Sequence, residues 1–141
     1  MVPTRLRYTY ELLEAYGVLQ QPGVQVVEPR QATEAELLTF HSQEYVDAVK
    51  SLSRGETTYS AGRYGFSQGG DNPVFPGMYE ASLWSTGASV KAAELVASGQ
   101  MDVAFNASGG LHPAMPGNAS GFCVFNAPVI AIKYLLGKGK I

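Results

Sequence analysis

Leu6, Tyr10, Leu13 and Tyr16 recur at helical spacing between Pro3 and Gly17. That pattern predicts a short amphipathic helix that needs something larger to pack on. Pro22 and Gly23 then punctuate the chain before Val24, Val26 and Val27, a β-branched run halted by Pro29, which predicts a strand over residues 25–28. Thr33 and Glu36 make a capping-box pair ahead of Leu37, Leu38 and Phe40, and Ser42 stands where it can cap a second helix carrying Tyr45, Val46, Val49 and Leu52. His41 falls where these two helices meet and reads as a helix-end residue. Residues 53–75 keep no period and are rich in Gly, Ser and Tyr. A connection this long is either a functional or mobile loop or a plain surface one.

The next helix, over residues 76–97, has two unlike sides. Tyr79, Leu83, Thr86 and Val90 line one; Ala81, Ser85, Ala88 and Ala92 form a stripe of small residues nearly opposite. Charge is confined to Glu80, Lys91 and Glu94. A helix apolar or small almost all round is normally buried on several sides, so a sheet and a partner chain should cover it, or the chain is part of a bigger fold. Gly99 closes it, residues 102–106 predict a short buried strand, and a second Gly-rich loop over residues 106–121 contains His112. Residues 122–125 read as extended, and Asn126 with Pro128 opens a final helix that runs through Leu136 to Gly137. Helices alternating with few short strands predict an α/β open sheet, incomplete, within a single domain spanning residues 1–141.

Composition narrows the function. The 141 residues are 45% hydrophobic and 16% charged, enough for one sizeable core. Ten basic against twelve acidic side chains leave a formal charge of -2, which lacks the footprint of a nucleic-acid binder. No run reaches the roughly 18 to 20 apolar residues of a membrane span, and Arg5, Arg7, Glu11 and Glu14 stand where a signal peptide would be apolar, so a cytoplasmic protein off the membrane is expected. One cysteine, Cys123, rules out an internal disulfide and reads as a small hydrophobe. No glycine pattern forms a phosphate loop, and no ligand pair at helical or hairpin spacing nominates a metal site.

Two residues hold candidate chemistry. His112, among Gly109, Gly110, Pro113 and Pro116, follows a predicted strand, where α/β proteins carry catalytic side chains. Its own neighbours favour a structural histidine bonded to backbone, because no partner is visible near it. Asp71 could bind a ligand amide, or could form an Asx turn ahead of Pro73.

Three segments then carry a resemblance: Gly70-Asp71-Asn72-Pro73-Val74-Phe75-Pro76-Gly77-Met78-Tyr79-Glu80-Ala81, Gly109-Gly110-Leu111-His112, and Ala119-Ser120-Gly121-Phe122-Cys123-Val124-Phe125-Asn126. Together with Val27-Glu28-Pro29 and Phe40-His41-Ser42-Gln43-Glu44-Tyr45-Val46, they resemble the histone deacetylase family, most closely its bacterial branch with the acetoin-utilisation proteins. The resemblance implies an arginase-like open α/β sheet, mainly parallel, and hydrolysis of acetyl-lysine or related amides. In that chemistry zinc polarises the amide carbonyl and activates water while a histidine takes the proton. It implies that His112 is the first of two paired active-site histidines, that Asp71 holds the substrate backbone, and that Gly121 and Phe122 wall the acyl-lysine channel.

The chain departs from that pattern. Pro113 stands where the second histidine, the proton acceptor, is expected, and loss of a general base typically costs ~10²-fold to 10⁴-fold in rate. Ala127 follows Asn126 where relatives carry aspartate. By the resemblance, the zinc ligands and the oxyanion tyrosine fall after residue 141, and the first strand falls before Met1. This implies roughly the first third of a deacetylase domain, with no cofactor in this chain although the family uses zinc. Unpaired strand edges then imply a homo-oligomer, most simply a twofold dimer, or another protein partner. The expected function is a truncated, catalytically silent deacetylase-like binding or oligomerisation module. The alternative is a zinc-dependent acetyl-lysine or acyl-amide hydrolase completed by residues from another chain. A third reading is a folded chain with no selected role.

Overall fold

A computed structural model describes residues 4–110 and 114–140. Five α-helices follow in order: α1 (Thr4–Ala15), α2 (Glu34–Leu37), α3 (Gln43–Ser53), α4 (Met78–Ala97) and α5 (Ala127–Gly137). Their starts have local causes. At α2, the Thr33 hydroxyl accepts from the Glu36 N–H at 3.2 Å while the Glu36 carboxylate accepts from the Thr33 N–H at 2.7 Å, so two orphan donors are satisfied reciprocally. Ser42 accepts from the Tyr45 N–H at 3.2 Å to start α3, and Asn126 from the Val129 N–H at 3.1 Å to start α5. Gly77 has no side chain with which to cap α4. Ser53, the last residue of α3, serves instead, its hydroxyl accepting from the Tyr79 N–H at 3.0 Å.

The core forms where these helices meet. Leu37 of α2, Tyr45, Val46 and Val49 of α3, Leu83 and Val90 of α4, and Ile130 of α5 are buried together with Tyr64, Phe66 and Phe125 from the connections. The two-sided character of α4 follows the sequence pattern. Its large side faces this core, with Leu83, Thr86 and Val90 buried. On the same helix, a Cβ added at Gly87 would lie 1.9 Å from the Arg30 carbonyl oxygen, so only glycine lets residues 30–32 cross so near. Arg30 clips that crossing in place: its guanidinium donates to Glu36 at 2.9 and 2.6 Å and to Glu94 at 2.5 and 3.2 Å. The two carboxylates hold the guanidinium pKa well above its ordinary value.

The sheet expected from the sequence has no ladder among the described residues. Among the described residues there is no strand, only single bridges joining Met115 to Asn118 and Ser120 to Cys123. Residues 25–28 and 102–106, read as strands, make no backbone–backbone hydrogen bond among the described residues, and the second is not buried as expected. Val103 is 82% and Phe105 79% exposed. A strand exists through its ladder, and neither segment has a ladder partner among the described residues. Instead both line an open cleft of about 880 Å³ whose other surfaces are α1 and the small-residue stripe of α4. Helix α1 buries none of its residues, so the partner surface its pattern calls for is not supplied by the described residues. No helix among them is long and apolar enough to cross a membrane.

Candidate functional site

The segment that carries Gly121 and Phe122 is a pair of tight turns laid over α3. Met115 and Asn118 exchange backbone hydrogen bonds at 2.9 and 3.4 Å around Pro116–Gly117, and Ser120 and Cys123 exchange theirs at 3.1 and 2.8 Å around Gly121–Phe122. The second is a two-residue hairpin turn with positive φ at both central positions, 49° at Gly121 and 69° at Phe122. For phenylalanine that conformation costs on the order of 1–3 kcal/mol and persists only where the surroundings impose it. Phe122 therefore does not continue an extended run, as its apolar neighbours suggest; the turn thrusts it outward, 49% exposed.

What imposes the turn is a set of ties from the core. The Tyr45 hydroxyl donates to the Val124 carbonyl at 2.7 Å, and the Ala119 N–H donates to the Tyr64 carbonyl at 2.8 Å. Burial pushes the Tyr45 hydroxyl pKa well up, with Cys123 adding to the effect, so it stays a donor. Gly65 lies beneath Ala119 at φ 78°, and a Cβ there would come 2.3 Å from the Ala119 carbonyl oxygen.

His41 is the hub of these ties. It is 3% exposed, among the rings of Phe40, Tyr45 and Phe125 at centroid distances of 5.0 to 5.3 Å. The Asn126 backbone N–H donates to its Nε2 at 2.9 Å, so that nitrogen carries no proton, and Nδ1–H faces the Pro116 carbonyl at 3.3 Å. Burial lowers the imidazole pKa against the opposing pull of the Pro116 and Met115 carbonyls. Asn126 completes the clasp by donating from Nδ2 to the Ala114 carbonyl at 2.9 Å. One buried, neutral imidazole thus joins the α2–α3 corner, the first turn and the start of α5. Sequence reading treats His41 as a helix-end residue; the only local signal for more is its place between Phe40 and a capping serine.

Asp71 sits at an exposed bend, and its carboxylate makes no hydrogen bond or ion pair among the described residues, so the Asx turn that could explain it is not formed. Beside it, Asn72 is buried, its main-chain carbonyl accepting from the Ser67 N–H at 3.0 Å while its side-chain oxygen has no partner among the described residues. The loop bearing Asp71 follows on Tyr64 and Gly65, which are seated against Ala119. His112 and Pro113 lie outside the described residues. Cys123 is half-buried.

The family's zinc finds no seat in what is described: no three His, Cys, Asp or Glu side chains among these residues converge on a point, and His41 has both ring nitrogens engaged. What the arrangement does offer is an outward aromatic face on a turn pinned to the core, and a carboxylate at Asp71 with no partner among the described residues.

Residues 1–141 match the histone deacetylase domain family. The type-1 histone deacetylase 1 of Dictyostelium discoideum is 40% identical over 137 residues, 96% of this chain and 27% of that protein. The acetoin utilization protein AcuC of Bacillus subtilis is 39% identical over 135 residues, 95% of this chain and 34% of that protein. The chain therefore spans about a quarter to a third of the length of these relatives. Among solved structures, a histone deacetylase homologue from Aquifex aeolicus superposes with a TM-score of 0.72 at 36% identity, over 80% of this chain and 30% of that one. A homologue complexed with SAHA superposes with a TM-score of 0.70 at 38% identity, with the same coverages of 80% and 30%.

Proposed function

The chain belongs to the histone deacetylase family, and from that premise we propose that these 141 residues form the rim of an acyl-lysine channel with its supporting scaffold, and that on their own they bind without hydrolysing. The observation that carries this reading is Phe122, held half-exposed at positive φ on a turn that Tyr45 and Tyr64 pin from below. An aromatic face fixed in this way packs along the methylene stem of an acylated lysine. The Asp71 carboxylate, without a partner among the described residues, accepts from a peptide N–H of the bound segment.

Hydrolysis makes further demands. Amide cleavage of the family's kind needs a proton acceptor and a cation to polarise the carbonyl. At the place of the family's second histidine, Pro113 offers no side-chain acceptor. The described residues supply no cation-binding set.

The test combines binding with turnover on the purified 141-residue protein. An acetyl-lysine peptide should bind, and Phe122→Ala should weaken it about tenfold, as expected for loss of ~1.4 kcal/mol of apolar contact, while the helical circular dichroism is unchanged. Acetate release should stay at the level of buffer. Stoichiometric zinc together with steady acetate release would overturn the proposal in favour of a hydrolase completed by a second chain.

A further inference from the structure

We propose that His41 and Tyr45 are positioning residues for acyl-lysine recognition: from the head of α3 they act through the main chain of residues 124–126 and so fix the direction in which Phe122 faces its ligand. The proposal deepens the channel reading and rests on it. Neither side chain touches the acyl-lysine; each governs the aromatic wall from beneath.

Two side-chain hydrogen bonds from this corner converge on three consecutive residues. The Tyr45 hydroxyl donates to the Val124 carbonyl at 2.7 Å, and His41 Nε2 accepts from the Asn126 N–H at 2.9 Å. Phe125 lies between the two tied groups, buried, its ring 5.3 Å from that of His41 and 6.1 Å from that of Tyr45. Residues 124 and 125 make no backbone–backbone hydrogen bond among the described residues, so these two side chains supply the hold that a neighbouring stretch of main chain commonly gives.

From there the hold passes to Phe122 through a closed turn. Ser120 and Cys123 bond to each other in both directions, at 3.1 and 2.8 Å, so the turn follows Val124 as one body. Phe122 keeps its φ of 69° only while the surroundings impose it. With the exit of the turn released, the backbone relaxes toward negative φ and the ring swings off its line, while the packing beneath α3 persists. The entry side is different in kind: Ala119 is held by the main-chain carbonyl of Tyr64, which no side-chain change removes. Side-chain control of the wall therefore rests with His41 and Tyr45. A merely structural pair would instead stabilise the fold at large, with no special tie to Phe122.

Tyr45→Phe removes the hydroxyl and keeps the ring that stacks on Phe66, so it isolates one tie. In the full chain it should weaken an acetyl-lysine peptide about fivefold with helical circular dichroism unchanged. His41→Leu should weaken the peptide more, and His41→Gln, which retains an acceptor for the Asn126 N–H, should recover part of that loss. The deciding measurement is a double-mutant cycle: in a Phe122→Ala background, Tyr45→Phe should cost no further affinity, because the group it positions is gone. A loss that persists undiminished without Phe122 would overturn the positioning role, as would affinity unchanged by Tyr45→Phe while Phe122→Ala weakens binding; either result leaves the channel reading standing. Failure of the unaltered chain to bind the peptide, or binding indifferent to Phe122→Ala, overturns the channel reading and the positioning role with it.

Discussion

At His41 a neutral ring performs a task that a charged one could not. Its Nε2 accepts the Asn126 N–H inside an aromatic cage, so a proton there would break the bond and place a charge among Phe40, Tyr45 and Phe125. The sign of the pH dependence follows. The folded pKa lies below the unfolded one, so beneath ~6.5 the unfolded chain binds more protons than the folded chain. Stability contributed by His41 is complete above that pH and falls as the pH drops, by up to ~1.4 kcal/mol per unit. The lowered carboxyls of Glu34, Glu36 and Glu56 act in a separate window, losing their contribution only as the pH falls below ~4.3. Urea midpoints measured between pH ~7.5 and ~5 should show the first decline, and His41→Gln should remove most of it at the cost of lower stability throughout. None of this is legible in the local sequence, because the partners of His41 lie 75 and 85 residues away.

Among the elements, α4 shows how one helix can carry both a legible pattern and a hidden one. Its large side and its small stripe are visible in residue spacing, and the structure uses both, the first for the core and the second for the cleft floor. Gly87 within the same helix gives no such signal. In an exposed helix interior, glycine to alanine gains about 1 kcal/mol. Here the new Cβ would meet the Arg30 carbonyl oxygen at 1.9 Å, so the helix must move away from a crossing that Arg30 clips to Glu36 and Glu94. Gly87→Ala is therefore expected to destabilise by ~2 kcal/mol or more, read as a lower denaturation midpoint. A rise in the midpoint would mean that the crossing gives way easily.

Across the whole molecule, stability should be graded from the α3–α4–α5 core outward to the cleft. The centre of α3 is almost wholly buried, with Tyr45, Val46, Ala48 and Val49 fully inaccessible, whereas α1 buries none of its residues and residues 25–29 are exposed. In native hydrogen exchange of the isolated chain, amides in α3 and mid-α4 should exchange only through global opening, and those of residues 25–29 and 102–106 at close to free rates. Strong protection of the cleft segments would show that they already have a ladder partner. The fold is shared with solved histone deacetylase homologues at TM-scores of 0.72 and 0.70, and only the open-sheet part of the α/β reading finds no ladder among the described residues, for the same reason. Alternating apolar residues such as Val24 and Val26, or Val103 and Phe105, signal a tendency to pair, and pairing needs a second backbone.

The sequence by itself determined what depends on neighbours a few positions away: the caps at Thr33, Ser42 and Asn126, the ends of the long helices, the two sides of α4, and the family motifs around Asp71, Gly121 and Phe122. Only the tertiary structure decided the neutral state of His41, the positive φ of Phe122, the need for glycine at positions 65 and 87, and, among the described residues, a cleft where the sequence pattern predicts a ladder. The dividing line is physical. A cap or a helix face is completed within one turn of chain, whereas burial, imposed backbone strain and strand pairing are set by groups that are distant in sequence and become neighbours only on folding.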